Sequence, residues 1–174
     1  PLGVSGQSKA AGDIAVANCP RHYILRSSWV IGEGHNFVKT MMMLSNRVAD
    51  PGDGLNEVTV VDDQYGRLTF TSDMADAIFH LLDSGAGYGT YDLTGSGRGE
   101  SWAGIAKAVF DLTNGNGDRV RPIPTEEYFA NAKDPVSPRP THSALDLKKI
   151  EATGYPALDW EESLKKYVAK ELAE

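Results

Sequence analysis

The sequence predicts an α/β fold that is rich in helices and has few strands. Three observations predict it. Apolar residues recur at helical spacing around 37–48, 71–82, 101–110 and 160–168. Short runs of β-branched and aromatic residues lie at 22–31, 57–62, 89–94 and 119–124. Glycine, proline and asparagine mark the borders, so strands alternate with helices, as in α/β proteins.

The elements follow in order. Residues 8–18 read as a helix from Ser8 to Asn18, ended by Pro20. Residues 22–31 read as one buried strand. Asn36 stands where it would cap the next helix, whose inner face carries Phe37, Met41, Leu44 and Val48. Asp50-Pro51-Gly52-Asp53-Gly54 is a loop, Glu57 to Asp62 a short strand, and Tyr65-Gly66 a turn. Thr71 or Ser72 starts a helix with Ala75, Ile78, Phe79 and Leu82 facing inward. Residues 89–94 form a strand. Ser101 then caps a helix with Trp102, Ile105, Ala106, Val109 and Phe110 on one face. After the loop 114–117, residues 119–124 read as a strand. Residues 130–142, with Pro135, Pro138 and Pro140, form an extended arm. Ala144 to Ala152 is a short helix. Asp159 caps the last helix, with Glu162 placed for a capping box and Trp160, Leu164, Tyr167 and Val168 inward.

Composition excludes several classes. With 174 residues and 18.8 kDa, the chain is long enough to bury a sizeable core. No apolar run approaches the roughly 20 residues that span a bilayer, so no membrane partner is expected. Lysine and arginine number 17 against 24 acidic residues, a net charge of −7, which disfavours nonspecific nucleic-acid binding. Cys19 is the single cysteine, so no internal disulfide forms, and a cytoplasmic setting is expected. The start at Pro1 and the modest length lead us to expect a portion of a longer chain.

Most chemical candidates have plain structural readings. Gly95-Ser96-Gly97-Arg98-Gly99-Glu100 follows a strand and precedes a helix, but Glu100 stands where a dinucleotide loop needs glycine. A flexible turn is the favoured reading. His22, His35, His80 and His142 are scattered without metal-ligand spacing, and no metal site is expected. The arm with Lys133, Arg139 and His142 is the main local cationic cluster, open between an anion-binding finger and a solvated surface.

A joint pattern runs through the chain. Gln7-Ser8-Lys9-Ala10-Ala11-Gly12-Asp13 is similar to the end of a Tyr-x-x-x-Lys signature. Arg26-Ser27-Ser28-Trp29-Val30-Ile31-Gly32 follows, then Asn36-Phe37-Val38-Lys39-Thr40-Met41 and Val61-Asp62-Asp63-Gln64-Tyr65-Gly66. Asp73-Met74-Ala75-Asp76-Ala77-Ile78, Tyr91-Asp92-Leu93-Thr94-Gly95-Ser96-Gly97 and Arg139-Pro140-Thr141-His142-Ser143-Ala144-Leu145 complete the set. In this order and spacing they resemble the dTDP-4-dehydrorhamnose reductase family of extended short-chain dehydrogenases.

The resemblance implies the C-terminal part of an NAD(P)-binding Rossmann-like fold. Residues 1–174 would form a single substrate-binding domain, with the cofactor lobe upstream. It implies NADPH- or NADH-linked reduction of the C4 ketone of a dTDP-sugar, in the formation of dTDP-L-rhamnose. Lys9 would hold the cofactor's nicotinamide ribose and tune a tyrosine general acid. Ser5 occupies that tyrosine's position, and its hydroxyl is far less acidic and shorter in reach. Trp29 would line the sugar pocket. Lys39 and Arg139 would meet the diphosphate, and Asn36 and Gln64 would supply polar contacts. For Trp29 core packing, and for Lys39 a solvated helix face, stand as the other readings. Leu68 and His142 also depart from the family's usual proline and asparagine. Ser5 motivates an alternative, a non-catalytic sugar-nucleotide-binding or regulatory-subunit-like protein. Exposed strand edges lead us to expect a homodimer.

Overall fold

The computed structural model describes residues 1–173, and Glu174, the last residue of the expected domain, lies outside them. Helix α1 spans Val4–Ala17, beginning before the expected Ser8. The Ser8 hydroxyl donates back to the Ser5 carbonyl at 2.8 Å, inside the helix. No residue of α1 is buried.

The expected strand 22–31 is broken into β1 (Tyr23–Arg26) and β2 (Val30–Ile31). The break falls at Trp29, whose φ of 50° lies in the left-handed region, incompatible with a strand ladder. β1 pairs in parallel with β6 (Gly89–Asp92), and β2 in parallel with β5 (Thr69–Phe70), so the halves serve different sheets.

Helix α2 (Phe37–Ala49) is capped by Asn36, whose Oδ1 accepts from the Lys39 amide at 3.1 Å. It buries Val38, Met41, Met42 and Ser45. β3 (Val58–Val61) pairs in parallel with β8 (Val120–Ile123). Tyr65-Gly66 is not a turn but strand β4 (Tyr65–Gly66), antiparallel to β7 (Glu100–Ser101). It is held extended from its other side, where the Tyr65 amide donates to the Thr141 carbonyl and the Ser143 amide to the Tyr65 carbonyl.

Helix α3 (Thr71–Asp83) corrects another expectation. Ala77 and Leu81 face inward, and the Ala75 stripe faces solvent, with Phe79 63% and Leu82 59% exposed. Both stripes are apolar, so periodicity alone does not choose between them. Tyr23, Leu25, Tyr91 and Leu93 of the β1–β6 side take the Ala77–Leu81 stripe.

Helix α4 (Trp102–Asn114) follows its Ser101 cap, whose Oγ accepts from the Gly104 amide at 3.0 Å. A one-turn helix not expected from sequence, α5 (Thr125–Tyr128), follows β8. Helix α6 covers only Lys148–Glu151 of the expected 144–152. Asp146 starts it late by accepting from the Lys148 amide at 2.8 Å. Asp159 caps α7 (Trp160–Ala173) through the Glu161 amide at 2.9 Å. Glu162 instead takes Lys165 at 2.6 Å. Among the described residues no helix is long and apolar enough to cross a membrane.

Two apolar clusters result. The larger joins α2, α4 and α7 to the β2–β5 and β3–β8 pairs, with Phe110, Trp160 and Leu164 at its centre. The smaller joins α3 and α6 to the β1–β6 pair. The glycine run after β6 is a packed turn rather than a flexible one. A β-carbon at Gly95 would lie 2.7 Å from both the Leu68 carbonyl oxygen and the Trp160 Cβ.

The smaller cluster carries a pH-dependent group. Burial, reinforced by the carboxylates of Asp73 and Asp76, pushes the Tyr155 phenol up to about 12. Its hydroxyl donates to the Asp73 carbonyl at 2.9 Å. The unfolded chain releases this proton near pH 10, before the folded chain does. The stability it contributes is therefore complete below about pH 10 and lost as pH rises through about 12. Urea unfolding is expected to show a lower midpoint at about pH 11 than at about pH 8, and Tyr155→Phe a shallower fall.

Candidate functional site

A cleft of about 340 Å³ opens between α2, β3 and α5. Phe37 and Met41 of α2 and Trp102 of α4 form an apolar wall, and Tyr128 and Phe129 close the far side. Gln64 and Arg139, distant in sequence, both line it. The cleft thus combines aromatic faces, an amide and a guanidinium.

Each polar group is placed by a local device. Asp63 accepts from the Thr125 amide at 3.0 Å and from its hydroxyl at 2.5 Å, anchoring α5. Those hydrogen bonds hold the Asp63 carboxyl below its ordinary range, so this anchor weakens in acid. Gln64 Nε2 donates to the Thr125 hydroxyl at 2.8 Å. Arg139 stands just before the stretch of arm that bonds to β4. The Ser28 hydroxyl also donates to the Ser143 carbonyl at 2.7 Å, and the His142 ring stacks on Tyr65 with centroids 5.9 Å apart.

The remaining expected residues are distributed elsewhere. The Trp29 indole lies behind the aromatic wall, stacked on Trp102 with centroids 3.8 Å apart and planes 20° apart. Asn36 caps α2 and spends its amide on the Gly32 and Gly34 carbonyls and the Tyr167 hydroxyl. Lys39 pairs with Glu171 of α7 at 2.9 Å. Neither lines the cleft that holds Gln64 and Arg139. Lys9 lines a separate cleft of about 630 Å³ with Asp13, Arg26 and Ser27. A single carboxylate oxygen of Asp13, Oδ2, accepts from Arg26 Nη2 at 2.7 Å and from its Nε at 2.9 Å. Ser5 does not line that cleft.

Sequence reasoning assigned Phe37 and Trp102 to the core and passed over Tyr128 and Phe129. The signal for the last two was present: Thr125-Glu126-Glu127 after Pro124 is a helix start that presents the aromatic pair.

Known proteins are similar to this chain. The family described as RmlD substrate binding domain matches residues 1–173. The chain belongs to the dTDP-4-dehydrorhamnose reductase family. A dTDP-4-dehydrorhamnose reductase of Sinorhizobium fredii is 39% identical over 180 residues, covering 97% of this chain and 56% of that protein. The crystal structure of a dTDP-4-dehydrorhamnose reductase ortholog from Clostridium acetobutylicum superposes with a TM-score of 0.83 at 34% identity, covering 97% of this chain and 56% of that one. A Bacillus anthracis reductase solved in complex with NADP gives 0.81 at 31% identity, covering 98% and 56%. A UDP-galactose 4-epimerase at 20% identity, with a TM-score of 0.66, shares the fold, which is that of extended short-chain dehydrogenases. The chain spans about half the length of the curated relatives it matches.

Proposed function

We propose that residues 1–174 form the substrate-binding domain of a dTDP-4-dehydrorhamnose reductase and hold its dTDP-sugar in the cleft of Gln64 and Arg139. The observation that carries this is the convergence of Arg139 and Gln64 on an aromatic-walled cleft. A nucleotide presents a planar base for stacking, a diphosphate for a guanidinium and a sugar with hydroxyls for polar side chains. In the whole enzyme the C4 ketone would be reduced by hydride from NADPH or NADH.

The residues fit the cofactor only in part. Lys9 opens onto a cleft where it could hold the nicotinamide ribose. The glycine run 95–99 cannot cradle a pyrophosphate, because Trp160 and Leu68 fill the space at Gly95. Ser5 leaves no phenol to protonate the ketone. We therefore assign this chain substrate binding without turnover. Neither nucleic acid nor membrane belongs to the reading, and a cytoplasmic setting suits it. A second copy is the partner we assign to the open edge of β1, to be read by light scattering.

Calorimetry with dTDP-L-rhamnose is the test. Saturable binding is expected, with no NADPH oxidation by the 174 residues even after Ser5→Tyr. Absence of binding would remove the sugar-nucleotide assignment, and NADPH turnover would remove the non-catalytic one.

A further inference from the structure

We propose that Trp102 is a positioning residue that clamps Trp29 into its place beside the cleft. The proposal rests on the sugar-nucleotide reading above. Trp29 is the one non-glycine residue with positive φ among those described, and a left-handed backbone at a bulky residue needs outside support. The support comes from both faces of its indole. Trp102 stacks on one face at 3.8 Å. On the other side the backbone of Gly66 approaches so closely that a β-carbon there would lie 2.8 Å from the indole ring. Trp102 is fixed in turn by Phe37, tilted 55° against it with centroids 4.5 Å apart, and by the Ser101 cap one residue before it.

The same Trp102 ring lines the cleft that holds Gln64 and Arg139, so one side chain joins the cleft wall to Trp29. Stacked aromatic pairs add to area burial a contribution that corresponds to a fewfold change in an equilibrium. Without Trp102 the Trp29 indole has one free face, and its backbone can relax out of the left-handed region. The preformed backing of the wall then becomes one that the ligand must order, and affinity falls.

The test is a double-mutant cycle on the 174-residue chain, read by calorimetry with dTDP-L-rhamnose and by fluorine NMR after fluorotryptophan labelling. The three tryptophans are assigned from the spectra of single variants. Trp102→Leu is expected to weaken binding about fivefold, and Trp29→Leu at least as much. Because Trp102 also lines the cleft, the double variant should bind about as weakly as the weaker of the two single variants, short of the two losses added. Trp102→Phe should restore affinity to within about twofold. The Trp29 resonance should be sharp in the parent and Trp102→Phe, and broadened in Trp102→Leu. Gly66→Ala, which attacks the clamp from the other face, should broaden it too. Additive losses, or binding unchanged in Trp102→Leu, would overturn the proposal. If the parent chain binds no dTDP-L-rhamnose, the sugar-nucleotide reading falls. The Trp29 resonance then judges the clamp alone: broadening in Trp102→Leu supports it, and an unchanged line overturns it.

Discussion

Trp160→Ala is expected to cost about 3–5 kcal/mol of folding stability, the largest loss from a single substitution in this chain. Trp160 is 1% exposed and opens α7, where it meets Phe110, Leu164 and Val168 in the larger cluster. Its indole Nε1 donates to the Arg98 carbonyl at 2.8 Å. Its Cβ sits against Gly95, so the hole left by the ring cannot close from that side without moving the loop after β6. A domain has only about 5–15 kcal/mol in total, so the variant would approach the edge of folding. Urea unfolding would read the loss as a lower midpoint with an unchanged slope. Trp160→Phe keeps most of the volume and loses the indole hydrogen bond, so it should fall by about 1–2 kcal/mol.

Arg139→Ala is expected to weaken dTDP binding by about tenfold or more, the largest effect on ligand affinity. Pro138 and Pro140 stiffen the backbone on either side, and the β4 contacts at Thr141 and Ser143 fix the arm just beyond. A backbone held in this way gives up little freedom when the guanidinium meets a diphosphate, so the ordering cost is confined to the side chain. Arg139→Lys should recover only part of the affinity, because an ammonium cannot make the paired hydrogen bonds. Calorimetry at two ionic strengths would check both variants: the parent's affinity should fall more with added salt than that of Arg139→Ala. Equal affinities of parent and Arg139→Ala would take the diphosphate away from this cleft.

What the sequence made legible was local. The Asn36, Ser101 and Asp159 caps and the inward faces of α4 and α7 follow from residue type and spacing, and the fold realises them. What it hid was non-local. Nothing within residues 22–31 announces that Trp29 will leave the strand, because the cause lies in Trp102 and Gly66. On α3 both stripes are apolar, and the sheet it meets makes the choice. The site divides the same way. Gln64 and Arg139 line one cleft although 75 residues separate them, while Asn36 and Lys39 are engaged by Tyr167 and Glu171 of α7, an element far along the chain.

Helix α1 differs in kind from the rest of the molecule. It has 14 residues, a length at which a helix by itself is marginal in water, and it buries none of them. Its attachment to β1 runs through Asp13 and Arg26, whose side chains are 28% and 57% exposed. Such a pair is worth at most about 1 kcal/mol and is screened by salt. Added salt is therefore expected to loosen the attachment of the segment that carries Lys9. Amide hydrogen exchange in α1 is expected to quicken with added salt, while α2 and α4, packed in the larger cluster, keep their protection.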